Sequence, residues 1–219
     1  IKYLNIFRNQ LNKNQLIEIL PILAKFLEMD EYVVYTYAAV TIERILTIRE
    51  SNSSPSFIFN KNDLSGSAKV LLTNLVKLIM KQGSSPEKLA ENEFLMRSVF
   101  RVLQTSEDTV EAMFPDMLNQ LLGIINIISK NPSNPRFSHY TFESIGVILT
   151  YSSMQLLPQL INSIMPVFLA ILSEDIQEFT PYVFQIIAFS VEKGKAVPDS
   201  IRQLVQPILS PALWEMKGN

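Results

Sequence analysis

The chain alternates between segments in which apolar residues recur every three or four positions and short polar breaks. This spacing places the apolar side chains on one face of an α-helix. Single-residue alternation of apolar and polar positions, typical of a half-buried strand, is almost absent. The predicted helical segments are 1–9, 13–28, 31–49, 66–81, 87–104, 109–130, 136–151, 154–172, 174–193 and 198–215.

Residues that favour the start of a helix lie at several of the polar breaks. Asn12 and Gln15 have the spacing of a capping box. Asp30 and Ser173 each directly precede a predicted helix, so we expect both to cap it. On the predicted helix 13–28, the apolar stripe consists of Leu16, Leu20, Leu23, Ala24 and Leu27.

Other breaks combine glycine, a capping side chain and proline. In 83–86 (GSSP), Gly83 ends one helix, Ser85 caps the next and Pro86 takes its first position. Asn134 and Pro135 repeat the cap-then-proline order. The helix over 174–193 must bend near Pro181, and Gly194 ends it.

Alternate predicted helices begin near residues 13, 66, 109, 154 and 198, so their spacing is in the low forties except across one insertion. Two helices per unit at this spacing are typical of HEAT or armadillo repeats, and the longer spacing favours HEAT. The predicted fold is therefore all-α, an α-α superhelix of about four to five helix pairs in one array over 1–219. The approximate units are 1–9 (partial), 13–49, 66–104, 109–151, 154–193 and 198–219 (partial), with a loop over 50–65.

Proline recurs in the first helix of the predicted units, at Pro21, Pro115, Pro158, Pro166 and Pro207. A proline in a helix interior costs about 3 kcal/mol or more unless the resulting bend is used. We interpret the recurrence as a kink in the outer helices, although chance placement of twelve prolines is the alternative. In a stack of such pairs, we expect first helices on the convex face and second helices on the concave face.

Composition narrows the function classes. The formal charge of −2, from 19 basic and 21 acidic residues, provides no basic excess for binding a phosphate backbone, so nucleic acid is not expected as a partner. Cysteine is absent, which removes disulfides and thiolate chemistry. The chain begins at Ile1 rather than Met, and we expect it to be a segment of a longer protein.

A membrane span has one candidate, the uncharged window 144–173. Its length exceeds the roughly 20 residues that a spanning helix needs. Polar residues and two prolines interrupt it, however, and Ser152 and Ser153 are typical of a corner between two helices. We therefore expect two buried helices and no membrane span.

The sequence offers little for catalysis. His139 is the only histidine, and its sequence neighbour Ser138 would point away from it on a helix. None of the six glycines forms a phosphate-binding loop. Paired carboxylates such as Glu107-Asp108 lie at predicted helix starts, where negative charge is favourable. We expect no enzyme activity, no metal and no cofactor.

The candidate partner contacts are polar residues on second helices. Glu93, Arg97 and Arg101 follow each other at four-residue spacing on one face. The two arginines repel each other weakly unless acidic groups face them, which are either acidic residues of the next repeat or those of an acidic partner. The full candidate set is Glu31, Tyr35, Glu43, Arg44, Glu93, Arg97, Arg101, Arg136, His139 and Glu143.

The serine-rich loop is a further candidate. It carries Phe57 and Phe59, with Lys61 and Asp63 at its end. Loops carry function more often than helices do. It is either a contact loop or disordered.

Several long stretches of the sequence resemble the CAS (exportin-2) family of the karyopherin-β superfamily, and they are most similar to its fungal members. The stretches are 30–39 (DEYVVYTYAA), 83–104 (GSSPEKLAENEFLMRSVFRVLQ), 131–146 (NPSNPRFSHYTFESIG), 173–179 (SEDIQEF) and 181–185 (PYVFQ). The resemblance extends over essentially the whole chain. It implies the central segment of a long HEAT solenoid.

The resemblance also implies a function. Members of this family bind importin-α together with Ran-GTP in the nucleus and carry importin-α out through the nuclear pore, so nuclear pore proteins are further potential partners. GTP hydrolysis on Ran then releases the cargo, and the receptor needs no active site. It would shuttle between nucleus and cytoplasm. Two alternatives remain: a generic HEAT scaffold or regulatory subunit without Ran dependence, and a helical enzyme built around His139.

Overall fold

The computed structural model describes residues 1–51, 53–195 and Arg202, and its regular elements there are helical. The helices are α1 Lys2–Phe7, α2 Lys13–Phe26, α3 Tyr32–Leu46, α4 Lys61–Leu64, α5 Ala68–Lys81, α6 Pro86–Leu89, α7 Glu93–Ser106, α8 Phe114–Ile128, α9 Pro135–Tyr151, α10 Leu157–Ser173 and α11 Thr180–Gly194. Short 3-10 segments over Arg8–Gln10 and Glu107–Met113 follow α1 and α7. The all-α prediction is confirmed, whereas the predicted helix over 198–215, with Pro207, lies outside the described residues.

The helices form two layers. The first-helix layer consists of α2, α5, α8 and α10, and the second-helix layer of α3, α7, α9 and α11. Each first helix packs on its second helix, and α3, α7, α9 and α11 pack side by side in chain order. Each helix pair therefore contacts chiefly its neighbours, which is the arrangement of a solenoid.

The core is one continuous apolar seam between the layers. The stripe predicted on α2, from Leu16 to Leu27, is buried in full, which confirms it. Phenylalanines dominate the later pairs, with Phe114, Phe137, Phe142 and Phe168 fully buried. Each such side chain contributes roughly 1.5–3 kcal/mol by leaving water, so the seam is the main source of stability.

Hydrogen bonds between neighbouring repeats join residues that lie about one repeat length apart in the sequence. Arg136 bonds to Glu93 across 43 residues, and Lys193 bonds to Leu149 across 44. Across the insertion, the separation grows to 54 residues between Arg97 and Glu43. The exact division into units stays a prediction.

Helix starts were predicted correctly where a capping side chain is followed by a matching residue in the first turn. Asn12 and Gln15 form both bonds of the capping box. The side chain of Ser85 accepts a bond from the Lys88 amide, and that of Asn134 accepts one from the Phe137 amide, each ahead of a proline in the first turn. These three predicted starts are confirmed.

Two predicted caps are wrong. The cap position of α3 is Glu31, which makes no side-chain cap bond, while Asp30 pairs with Lys81 of α5. Ser173 is the last residue of α10 rather than a cap. Because α11 begins at Thr180, the stretch 174–179 is not a helix, and Pro181 lies in the first turn of α11 instead of bending it.

Two predicted long helices are interrupted. Residues 87–104 divide into α6 and α7, and 109–130 divide into the 3-10 segment and α8. Pro115 and Pro158 lie in the first turns of α8 and α10, where proline needs no hydrogen-bond donor. Only Pro21 and Pro166 lie inside described helices, so the recurrent-kink interpretation is wrong for the other two described prolines.

The predicted loop over 50–65 is shorter than expected and makes more contacts with the rest of the solenoid. Residues 61–64 are helical (α4), and an isolated bridge joins Arg49 to Phe57. Phe59 is buried, Asp63 pairs with Lys13 at 2.7 Å and Lys61 pairs with Asp108 at 2.8 Å. Of the four candidate residues of this loop, Phe57 alone is an exposed large apolar side chain.

The uncharged window 144–173 is divided between α9 and α10, as predicted. No helix of the described part of the chain is long and apolar enough to cross a membrane.

Candidate partner-binding face

The second-helix layer collects the ten candidate residues. Nine of them lie on α3, α7 or α9, and Glu31 is the cap position of α3. Because α3, α7 and α9 pack side by side, residues that are far apart in sequence become neighbours on this layer. The periodicity of the sequence predicted the helices, and the side-by-side packing of these helices brings the candidate residues together on one face.

Two ion pairs cross between adjacent second helices. Arg97 Nη2 lies 2.8 Å from Glu43 Oε1, and Arg136 Nη1 lies 3.2 Å from Glu93 Oε1. The Glu43 side chain is only 8% exposed, whereas that of Arg136 is 78% exposed. Each arginine thus pairs with a glutamate of the preceding repeat, not the following one, so part of the candidate set serves the packing of the solenoid itself.

Arg101 is held differently. Its guanidinium carbon lies 5.1 Å from the ring centre of Phe57 and 5.5 Å from that of Phe100. Its Nη1 donates to Gln104 Oε1 at 2.7 Å. Its Nε is buried without a hydrogen-bond acceptor, and burial lowers the pKa of Arg101 below its ordinary value.

A cluster of aromatic rings continues the face onto α11. The rings of Tyr182 and Phe142 stack with centroids 4.7 Å apart, and the hydroxyl of Tyr182 lies 3.4 Å from His139 Nδ1. Burial, with a smaller contribution from Glu143, raises the pKa of Tyr182. The Ser138 hydroxyl donates to the backbone oxygen of Asn134 at 3.2 Å, so it is engaged with its own helix rather than with His139.

Two candidates are engaged in internal bonds. Tyr35 is 6% exposed, and its hydroxyl accepts a bond from Gln82 Nε2 at 3.0 Å. Arg44 Nη1 donates to the buried Asn5 at 2.7 Å. Both side chains therefore position helices of neighbouring pairs.

Two cavities open along the layer. One, of about 440 Å³, is lined by Glu93, Arg97, Arg136, His139 and Tyr140, together with Pro135. The other, of about 220 Å³, lies between α7, α9 and α11 and is lined mainly by apolar and aromatic side chains, with Glu143 at its wall. Volumes of this size accommodate individual side chains, so the face is suited to binding a protein surface.

Tyr140 and Tyr182 were missed from the sequence, although both belong to this face. Tyr140 contacts Phe100 with ring centroids 5.6 Å apart, and Arg97 lies over its ring. Tyr182 lies 43 residues after His139, one repeat length, and that spacing is the signal that identifies it.

No group of three or more His, Cys, Asp or Glu side chains that could hold a metal ion occurs within residues 1–51 and 53–195. The chemistry available on the face is ion pairing, hydrogen bonding and aromatic stacking.

Comparison with known proteins gives matches over the whole chain. The family described as "CAS/CSE protein, C-terminus" matches residues 43–219, and the family described as "Cse1" matches residues 1–42. The chain is 67% identical over its full length to a Saccharomyces cerevisiae protein named importin alpha re-exporter. It is 44% identical to the Schizosaccharomyces pombe importin-alpha re-exporter and 36% identical to human exportin-2.

A solved structure, titled "The exportin Cse1 in its cargo-free, cytoplasmic state", superimposes with a TM-score of 0.87 at 62% identity and covers all of this chain. The likeness confirms the predicted helical HEAT-repeat solenoid. The chain spans 22–23% of the length of these relatives. On these grounds the chain belongs to the CAS/CSE family.

Proposed function

We propose that this chain is a segment of a nuclear export receptor that carries importin-α out of the nucleus in complex with Ran-GTP. The observation that carries the proposal is the 67% identity, over the whole chain, to a protein named importin alpha re-exporter. Identity of 36% to human exportin-2, again over the whole chain, extends the same relationship beyond the fungi.

The proposed role is binding without catalysis. The second-helix layer presents charged and aromatic side chains next to two cavities, which supports contact with a protein surface. A receptor of this kind shuttles between nucleus and cytoplasm and meets nuclear pore proteins on the way. Its mechanism is a change of curvature as partners bind, which a stack of nearest-neighbour contacts permits.

The ten candidate residues divide by their surroundings. Arg97, Glu43 and Glu93 are engaged in cross-repeat ion pairs, and Tyr35 and Arg44 in internal hydrogen bonds. We assign direct partner contact to Glu31, Arg101, His139 and Glu143. We also assign it to Arg136, which pairs with Glu93 but whose side chain is 78% exposed.

A pull-down of the full-length receptor with importin-α, in the presence and absence of GTP-loaded Ran, tests the proposal. We expect importin-α to be retained only when Ran-GTP is present. Ran loaded with GDP is the matched control, because it keeps the partner and changes only the nucleotide. Retention that ignores Ran-GTP would favour a generic HEAT scaffold or regulatory subunit instead.

A further inference from the structure

Arg101 differs from the other two arginines on α7 and α9 in forming no ion pair with a described residue. Arg97 and Arg136 each pair with a glutamate of a neighbouring helix. No carboxylate of the described residues forms an ion pair with Arg101, and among these residues the guanidinium donates a hydrogen bond only to the neutral amide of Gln104. Removing part of the water shell of a charge is costly unless the charge is paired. Burial therefore lowers the pKa of Arg101, and the attraction of the nearby Glu43 carboxylate offsets this effect only in part.

The guanidinium is nevertheless fixed in place. Phe100, from its own helix, and Phe57, from the serine-rich loop, both lie within 5.5 Å of the guanidinium carbon. Guanidinium stacking on aromatic rings is favourable and restricts the side chain. Because Phe57 comes from the insertion that lengthens the first repeat, the insertion has a structural consequence on the second-helix layer.

One end of the guanidinium stays available. Nε is buried without a partner and Nη1 is bonded to Gln104, but Nη2 makes no hydrogen bond within the described part of the chain and is not among the buried atoms without a partner. Gln104 and Phe100, which hold this side chain, also line the 220 Å³ cavity between α7, α9 and α11.

From this geometry we infer that Arg101, clamped by Phe57, Phe100 and Gln104, is a docking point for one carboxylate side chain of a protein partner. A planar guanidinium matches a carboxylate, and a pre-fixed arginine loses less conformational freedom on binding than a mobile one. A polyanion is disfavoured, because Glu43 and Glu143 lie on the same layer and the chain has no basic excess. The inference rests on the proposed export function and names the chemistry of one contact within it.

The test is the affinity of the full-length receptor for importin-α in the presence of Ran-GTP, for wild type and variants. Arginines at interface hot spots typically lose enough on truncation to weaken binding about 30-fold or more, and we expect Arg101→Gln to do so. Arg101→Lys keeps the charge but loses the planar stack, and we expect a loss of about tenfold. Phe57→Leu leaves the arginine and removes half of its clamp, so a loss of about threefold is expected.

Lys69→Gln is the matched control. It removes the same charge from an exposed position on α5, in the first-helix layer, and should bind within twofold of wild type. Circular dichroism establishes that each variant is folded. If Arg101→Gln does not fold, Arg101→Lys and Phe57→Leu decide the result, because both retain most of the local packing.

Three results would overturn the inference. Binding of folded Arg101→Gln within twofold of wild type would remove the docking point. An equal loss in Glu143→Gln, with no further loss in the double variant, would show that Arg101 pairs with Glu143 in the complex rather than with the partner. Wild type that fails to bind importin-α with Ran-GTP would remove the proposed function and the inference with it, a result distinct from the other two.

Discussion

Lys193 holds the corner between α9 and α10, and replacing it with methionine should loosen that corner specifically. Its ammonium donates to three backbone oxygens, those of Leu149, Thr150 and Ser152, at 2.6, 2.7 and 2.7 Å. The first two lie in the last turn of α9, where carbonyl groups lack partners within the helix and carry the negative end of the dipole. Lys193 belongs to α11, so these bonds join adjacent second helices.

The magnitude follows from the three bonds. A hydrogen bond to a charged group contributes about 1.5–3 kcal/mol, and three from one ammonium are not additive because they share its desolvation and ordering costs. Burial lowers the pKa of Lys193, which shows that part of the gain is offset by desolvation. Methionine replaces the unbranched apolar stem of lysine but lacks the terminal ammonium, so it removes the three bonds while leaving most of the stem's packing. We therefore expect Lys193→Met to reduce the local free energy of opening by about 2–4 kcal/mol.

Hydrogen exchange in the full-length receptor measures this opening directly. The reporters are amides bonded within the corner, such as Ser152 to Ile148 at 3.0 Å and Leu157 to Ser153 at 3.0 Å. A loss of 2–4 kcal/mol accelerates their exchange about 30- to 1,000-fold.

Lys130→Met is the control, because Lys130 follows the C-terminal end of α8 and is exposed. It should leave exchange in the α9–α10 corner unchanged. Acceleration of less than threefold in Lys193→Met, relative to this control, would refute the reasoning that three carbonyl contacts stabilise the corner.

Three further predictions concern the same scaffold. Glu43→Gln and Arg97→Met should each destabilise the packing of α3 on α7. Because the two side chains pair directly, a double-mutant cycle measured by hydrogen exchange should give a coupling energy of about 0.5–3 kcal/mol, and additive effects of the two substitutions would contradict this. Hydrogen bonds from Ser153 lower the pKa of Glu111 from 4.5, so the contribution of this carboxylate to the stability of the α9–α10 corner is complete above pH 4.5 and is lost as the pH falls through the lower folded-state pKa. Hydrogen exchange of the corner amides in Glu111→Gln should lack this pH dependence. Asn134→Ala removes both the cap of α9 and the bond from Asn134 Nδ2 to the Ala90 oxygen, so it should lower the free energy of unfolding by about 2–4 kcal/mol, measured by exchange in the first turn of α9.

Local chemistry made part of this fold predictable. The caps at Asn12 and Asn134 depend only on residues within three positions, so the sequence contains the whole signal. The cap expected at Asp30 failed because its carboxylate pairs with Lys81, 51 residues away, and nothing local announces that partner. Tertiary contacts decide such cases.

The prolines show a second limit. Apolar periodicity continues through 109–130, which predicted one long helix with Pro115 inside. The structure starts the α-helix at Phe114 instead, so Pro115 occupies a first-turn position where its missing donor and fixed φ cost nothing. The same holds for Pro158 and Pro181. Proline in these repeats marks a helix start more often than a kink.

The sequence predicted which helices form the candidate face, but it predicted the surroundings of the individual residues only in part. Periodicity placed Arg97 and Arg101 on one stripe of α7, yet it gives no information on how adjacent helices align. One therefore pairs with Glu43 and the other is clamped by rings, although they lie four residues apart. Adding one repeat length to His139 leads to Tyr182, which shows that lateral neighbours can be found once the repeat is known.

Hydrogen bonds between neighbouring repeats explain why adjacent helices align in one register. An apolar seam tolerates sliding of one helix along another, because hydrophobic burial is not directional. Ser98 Oγ donates to the Ala39 oxygen at 2.7 Å in the buried seam, and Asn134 Nδ2 donates to the Ala90 oxygen at 2.9 Å one repeat later. A shift of one helical turn would leave these buried and half-buried groups unpaired, at roughly 1–3 kcal/mol each where water cannot replace the partner. The alignment that they fix is what sets the positions of the charged residues on the partner-binding face.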